Sequence, residues 1–138
     1  MNFYINIIDF LKQEKYLILP GLGQWTIDYK PSNFDRESRV VSPFEYQLNF
    51  SEKIYKDVSA QISFLSENWG ISALQVHAVL QGFSYEIYKW FAKQNKQDNL
   101  AEYSLPGLGT FNFENDQLNF HSSGEIEYAT KYFQKSYI

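Results

Sequence analysis

Two short phrases each occur twice in this 138-residue chain, in the same order. LPGLG spans Leu19 to Gly23 and again Leu105 to Gly109; QLNF spans Gln47 to Phe50 and again Gln117 to Phe120. Internal repetition limits the fold more than any local propensity, because both copies must form the same unit and a half-chain is too small to bury its own apolar face. After the first glycines, Trp25, Ile27 and Tyr29 alternate with Gln24, Thr26 and Asp28, and Phe44, Tyr46, Leu48 and Phe50 alternate up to the end of QLNF. Period-two alternation of this kind predicts a hairpin with one buried face.

The phrases begin 28 residues apart in the first copy (19 to 47) and 12 in the second (105 to 117). The second hairpin therefore closes tightly, around Glu114 to Asp116, while the first carries sixteen extra residues as an arm. The arm reads KPSNFDRESRVVSPF, rich in turn formers and mixed charge. Paired glycines one residue apart, Gly21 with Gly23 and Gly107 with Gly109, predict a bend where another backbone approaches closely. A phosphate-gripping loop is the weaker reading, since GLGQWT has neither a third glycine nor a Gly-Lys-Ser/Thr ending.

Helices occupy the remainder. Phe3, Ile7, Ile8 and Leu11 recur at helical spacing at the start, and Val58, Ile62 and Leu65 share a face in a segment that Trp69-Gly70 ends. Ser72 and Gln75 are spaced as a capping box, with Ile71 and Val76 placed as a hydrophobic staple. The helix they start carries Leu80, Phe83, Ile87, Trp90 and Phe91 on one broad side, to about Lys93. Beyond Phe120, HSSG reads as a loop, followed by a short helix with Ile126, Ala129 and Phe133 inward.

Composition narrows the chemistry. The absence of cysteine excludes disulfides, thiolate nucleophiles and Cys-ligated zinc. The two histidines, His77 and His121, have no metal-ligand partner at a recognised spacing, and no catalytic motif occurs, so neither enzyme activity nor a cofactor or metal is expected. Glu114, Asp116, Glu125 and Glu127 read as solvated charges. No apolar stretch reaches the ~20 residues of a membrane helix and the first residues lack the marks of a secretory signal, so a soluble, cytoplasmic chain is expected.

From Asp57 onward the order is helix, GIS turn, longer helix, polar connection, then Gly107-Leu108-Gly109-Thr110-Phe111 opening a hairpin. This order and glycine signature resemble the bacterial HU/IHF superfamily, in which two helices precede a three-stranded sheet with an arm on its hairpin. The first copy resembles the same unit with its first helix lost and its arm kept. The doubled arrangement is most similar to the divergent tandem HU-like domains at the front of bacterial proteins that end in a membrane span and a SPOR peptidoglycan-binding domain.

The resemblance implies an α+β fold of two degenerate copies, residues 1–54 and 55–138, forming an intramolecular pseudo-twofold unit. It also implies a monomer with an internal pseudo-dimer rather than an obligate homodimer, and a place as the cytoplasmic part of an envelope- or cell-division-linked protein. Its candidate contact residues lie on the arm: Lys30, Pro31, Asn33, Phe34, Arg36, Arg39 and Phe44. Two functions remain open. Architectural DNA binding would use the arm's cations and an apolar wedge at Pro31 or Phe34. The arm from Asp28 to Phe44 is neutral, however, with three acids and three bases, and net charge is −4. A chain without a clustered basic stripe is a poor polyanion binder, so a non-catalytic scaffold with a protein partner is the favoured expectation.

Overall fold

The computed structural model describes residues 2–30, 34–35, 40–41, 45–94, 101–114, 117–124 and 126. The chain opens with helix α1 (Phe3–Glu14), then β1 (Tyr16–Leu19) and β2 (Gly23–Lys30). Two short arm strands follow, β3 (Phe34–Asp35) and β4 (Val40–Val41), before β5 (Glu45–Ser51). Helices α2 (Ser59–Trp69) and α3 (Ala73–Ala92) lead to β6 (Glu102–Leu105), β7 (Gly109–Glu114) and β8 (Gln117–Ser122). The result is an α+β fold with two three-stranded antiparallel sheets, ordered β1-β2-β5 and β6-β7-β8, and a small β3-β4 hairpin in the arm.

The repeated phrases sit in matching registers. Leu19 pairs Gly23 and Leu105 pairs Gly109; Trp25 pairs Phe50 and Phe111 pairs Phe120. Asp28 pairs Gln47 across the base of the arm, while Glu114 pairs Gln117 three residues later. The sixteen-residue difference is therefore accommodated beyond the last shared pair. Neither ladder shifts to absorb it.

The glycines are required at the positions the repeat places them. A side chain on Gly23 would collide with the Ser51 carbonyl and the Phe50 ring, and one on Gly109 with the His121 carbonyl and the Phe120 ring. Each marks the point where its hairpin's third strand crosses close over the first residue of the second.

Helix ends follow from local chemistry. Asn2 Oδ1 accepts from Ile5 N at 3.2 Å to open α1, and Ser72 with Gln75 forms a complete capping box at the start of α3. Helix α2 ends at Gly70, which is left-handed at φ 68° and donates to the Ser66 carbonyl. Its start is less conventional: Val58 offers no side-chain cap, and Asp57 instead accepts from Ser59 N at 2.8 Å and Ser59 Oγ at 2.7 Å.

The core joins the two sheets. Trp25 and Phe50 from the first meet Phe111 and Phe120 from the second, and the contacts are reciprocal: Trp25–Phe111 at 5.7 Å, Phe50–Phe120 at 5.9 Å, Trp25–Phe120 at 5.6 Å and Phe50–Phe111 at 5.2 Å between ring centroids. Leu19, Leu105, Leu48 and Leu118 are all buried around this quartet, as their place in the repeat requires. The helices cross over as well. The Gly107 turn lies against Ile8 of α1, and the Gly21 turn faces Ser84 of α3. Phe3 of α1 stacks on Trp69 of α2 at 5.7 Å and tilts against Phe83 of α3 at 4.5 Å, tying all three helices together.

Two expectations need correction. HSSG is not wholly a loop, because β8 continues through His121 and Ser122, which pair with Thr110 and Gly109. Strand β7 begins at its glycine, so its partner must extend that far to complete the ladder. Gln24, placed on the solvent side by alternation, is 1 % exposed. Residues following β5 fold over it, and its Oε1 accepts from Tyr55 N at 3.2 Å and Lys56 N at 3.0 Å.

Candidate interaction surface

Alternation that sends Trp25, Ile27, Leu48, Phe111 and Leu118 into the core sends their neighbours outward. The outward face of the first sheet carries Thr26, Asp28, Gln47 and Asn49, and that of the second carries Thr110, Asn112, Gln117, Asn119 and His121. Asn49 Nδ2 donates to Asp28 Oδ2 at 2.7 Å, which fixes both side chains. Strands β5 and β8, the ends of their sheets, run beside each other, and a cleft of about 480 Å³ lies between them. The first QLNF and the LNF of the second line it, together with His121. The second occurrence of that phrase thus builds the other wall of the same cleft.

The polar side chains that line the cleft are Gln47, Asn49, Asn119 and His121, with no lysine or arginine among its described lining residues. Such a lining can donate and accept hydrogen bonds but offers no field for a polyanion. Asn112 Oδ1 is buried on this side without a partner. The exposed apolar side chains lie elsewhere: Ile5 on α1, Ile54 and Tyr55 after β5, and Leu74, Tyr85 and Tyr88 on α3. Burial, reinforced by the Glu52 carboxylate, raises the Tyr88 hydroxyl pKa.

Of the arm residues singled out from sequence, Lys30 ends β2 opposite Glu45, and Phe34 pairs Val41 in the arm hairpin. Pro31, Asn33, Arg36, Arg39 and Phe44 lie outside the described residues. The turn at Glu114 to Asp116 is described only to Glu114. Of the inward positions Ile126, Ala129 and Phe133, only Ile126 is described; it is helical and buried. His77 is half-buried on α3 and His121 is exposed on β8. No group of three or more His, Asp or Glu among the described residues could hold a metal ion, and no described helix is long and apolar enough to cross a membrane.

One polar residue was not singled out from sequence. Gln61 lies on the apolar face of α2 and is fully buried. Its Oε1 accepts from Ile18 N at 2.7 Å and its Nε2 donates to Ile18 O at 2.6 Å. Strand β1 is the outer edge of the first sheet, so Gln61 satisfies the main-chain groups that a further strand would otherwise take. The signal was present: an amide at 61 among Val58, Ile62, Leu65 and Trp69 interrupts an apolar stripe and demands a partner once buried.

Compared with protein-family models, with curated proteins and with solved structures, the chain matches none. Function must therefore be read from the geometry.

Proposed function

We propose that the chain is a non-catalytic interaction module of HU/IHF-like design, in which two degenerate copies form an intramolecular pseudo-twofold unit. The reciprocal packing of Trp25, Phe50, Phe111 and Phe120 supports this reading: equivalent residues meet each other, and each unlike contact has its mirror, as a twofold axis requires. A half-unit of three strands exposes an apolar face, and the second half covers it at the high effective concentration of a linked copy.

The observation that carries the functional part is the outward face at the junction. The described polar side chains that line the cleft there are Gln47, Asn49, Asn119 and His121, which suits a protein surface with hydrogen-bonding groups and not a phosphate backbone. Architectural DNA binding, the alternative on the same fold, needs cations, and no lysine or arginine is among the described residues that line this cleft.

The test is fluorescence anisotropy with labelled linear, bent and nicked duplexes at low and physiological salt. Weak binding with a shallow dependence on salt is expected. Submicromolar affinity with a steep salt slope, lost when Lys30, Arg36 and Arg39 are changed to Ala, would install DNA binding in place of this reading.

A further inference from the structure

The two outer edges β1 and β6 are treated differently. In an antiparallel ladder alternate residues turn both main-chain groups away from the neighbouring strand. Ile18 is such a residue, since its N–H and C=O are bonded to Gln61. Ser104 holds the same register, pairing Thr110 as Ile18 pairs Gln24. Its N–H and C=O therefore point out from β6, as do those of Glu102 two residues earlier. Both residues are exposed, and among the described residues no side chain caps them as Gln61 caps Ile18. An edge that no described residue covers is a template for another strand.

We infer that the free edge of β6 takes up an extended segment of another protein by main-chain pairing, with a lysine or arginine opposite Glu102. The inference rests on the interaction-module reading and names the partner's chemistry. On the outward side the incoming strand meets the Glu102 carboxylate and the Ser104 hydroxyl. On the other side it meets Tyr103, which packs edge-on against Trp90 at 5.4 Å, so an apolar residue belongs there. The segment sought thus alternates basic or hydroxyl residues with apolar ones. A second copy of the chain fits less well, because pairing β6 with itself brings together two molecules of net charge −4.

The probe is an acetylated, amidated hexapeptide of alternating lysine and valine, titrated into the ¹⁵N-labelled full chain. Amide shifts centred on Glu102 and Ser104 are expected, with a Kd on the order of 1 mM or tighter. Methylating alternate peptide nitrogens should weaken binding at least ~10-fold, because it removes main-chain donors. Ser104→Pro, which deletes only an outward N–H on an edge strand, should abolish the shifts. Glu102→Lys should transfer preference to a glutamate-valine peptide, and it serves independently if the proline variant fails to fold. Shifts confined to the cleft between β5 and β8 would overturn the edge assignment while leaving the interaction reading intact. Absence of shifts at ~5 mM peptide would also overturn it. Self-association in sedimentation without peptide, lost in Ser104→Pro, would replace the partner segment with a second copy.

Discussion

Gln61 offers the sharpest test of how the edge of the first sheet is held. Replacing it by leucine keeps most of the side-chain volume but leaves the Ile18 N–H and C=O buried without partners. Each unsatisfied main-chain group costs about 1–3 kcal/mol, so with two such groups Gln61→Leu should lose about 2–6 kcal/mol. Gln61→Ala should lose about 2 kcal/mol or more beyond that, for the three further carbons removed and the space they leave. Against the ~5–15 kcal/mol stability of an ordinary domain this is a large fraction, and it corresponds to a fall in Tm of about 10 °C or more. Gln61→Glu adds a discriminating pH dependence. Ionised, the new carboxylate can accept from Ile18 N but cannot donate to Ile18 O, and burial opposes its charge; protonated, it can do both. Its folded-state pKa is therefore raised above the unfolded value of ~4.3. The stabilisation is present below that unfolded value and is lost as pH rises through the folded pKa, so the variant should approach wild type near pH 4 and fall well below it at pH 7.5. Urea denaturation followed by tryptophan fluorescence at both pH values measures this, with hydrogen exchange at Ile18 as the local readout. If Gln61→Leu stays within about 0.5 kcal/mol of wild type, or Gln61→Glu shows no relative recovery in acid, the edge-capping role is refuted.

Gly23→Ala and Gly109→Ala should each cost more than about 2 kcal/mol, because the new methyl group meets main-chain carbonyls at Ser51 and His121 that cannot move without breaking the ladder. Gly82→Ala, in open space within α3, should instead stabilise by about 0.5–1 kcal/mol, and calorimetry on the three variants separates the cases. Shortening the Asp28-to-Gln47 connection to the two-residue span between Glu114 and Gln117 should preserve a single cooperative thermal transition, since the shared registers end at those pairs; a molten product would show that the arm belongs to the core. Hydrogen bonds from the Ser59 side chain and main chain lower the pKa of Asp57. Its support for α2 is therefore present at neutral pH and lost as pH falls through that lowered value, and Asp57→Ala should reduce the loss of stability below about pH 4 in acid titrations followed by circular dichroism.

The repeat made the sheets legible in advance because it doubled every clue. Alternation around QLNF fixed which face was buried, and the spacing of the glycines told where strands must cross closely; Gly23 and Gly109 now show the crossing atom by atom. Helix α3 was equally plain, since Ser72, Gln75 and the apolar side from Leu80 to Phe91 point to the same element. What sequence reasoning missed was polar and long-range. Gln61 and Ile18 are 43 residues apart, and no periodicity announces that an amide will satisfy a strand edge. Gln24 was assigned to solvent by a rule that knows only its own strand, whereas the segment at Tyr55 and Lys56 covers it. The cleft between β5 and β8 could not be read from either QLNF alone, since each phrase specifies one wall and only tertiary packing sets them side by side. The same limit explains the contrast between β1 and β6. Two strands with the same pairing register differ at their outer edges because a residue from a distant helix caps one, and no described side chain caps the other.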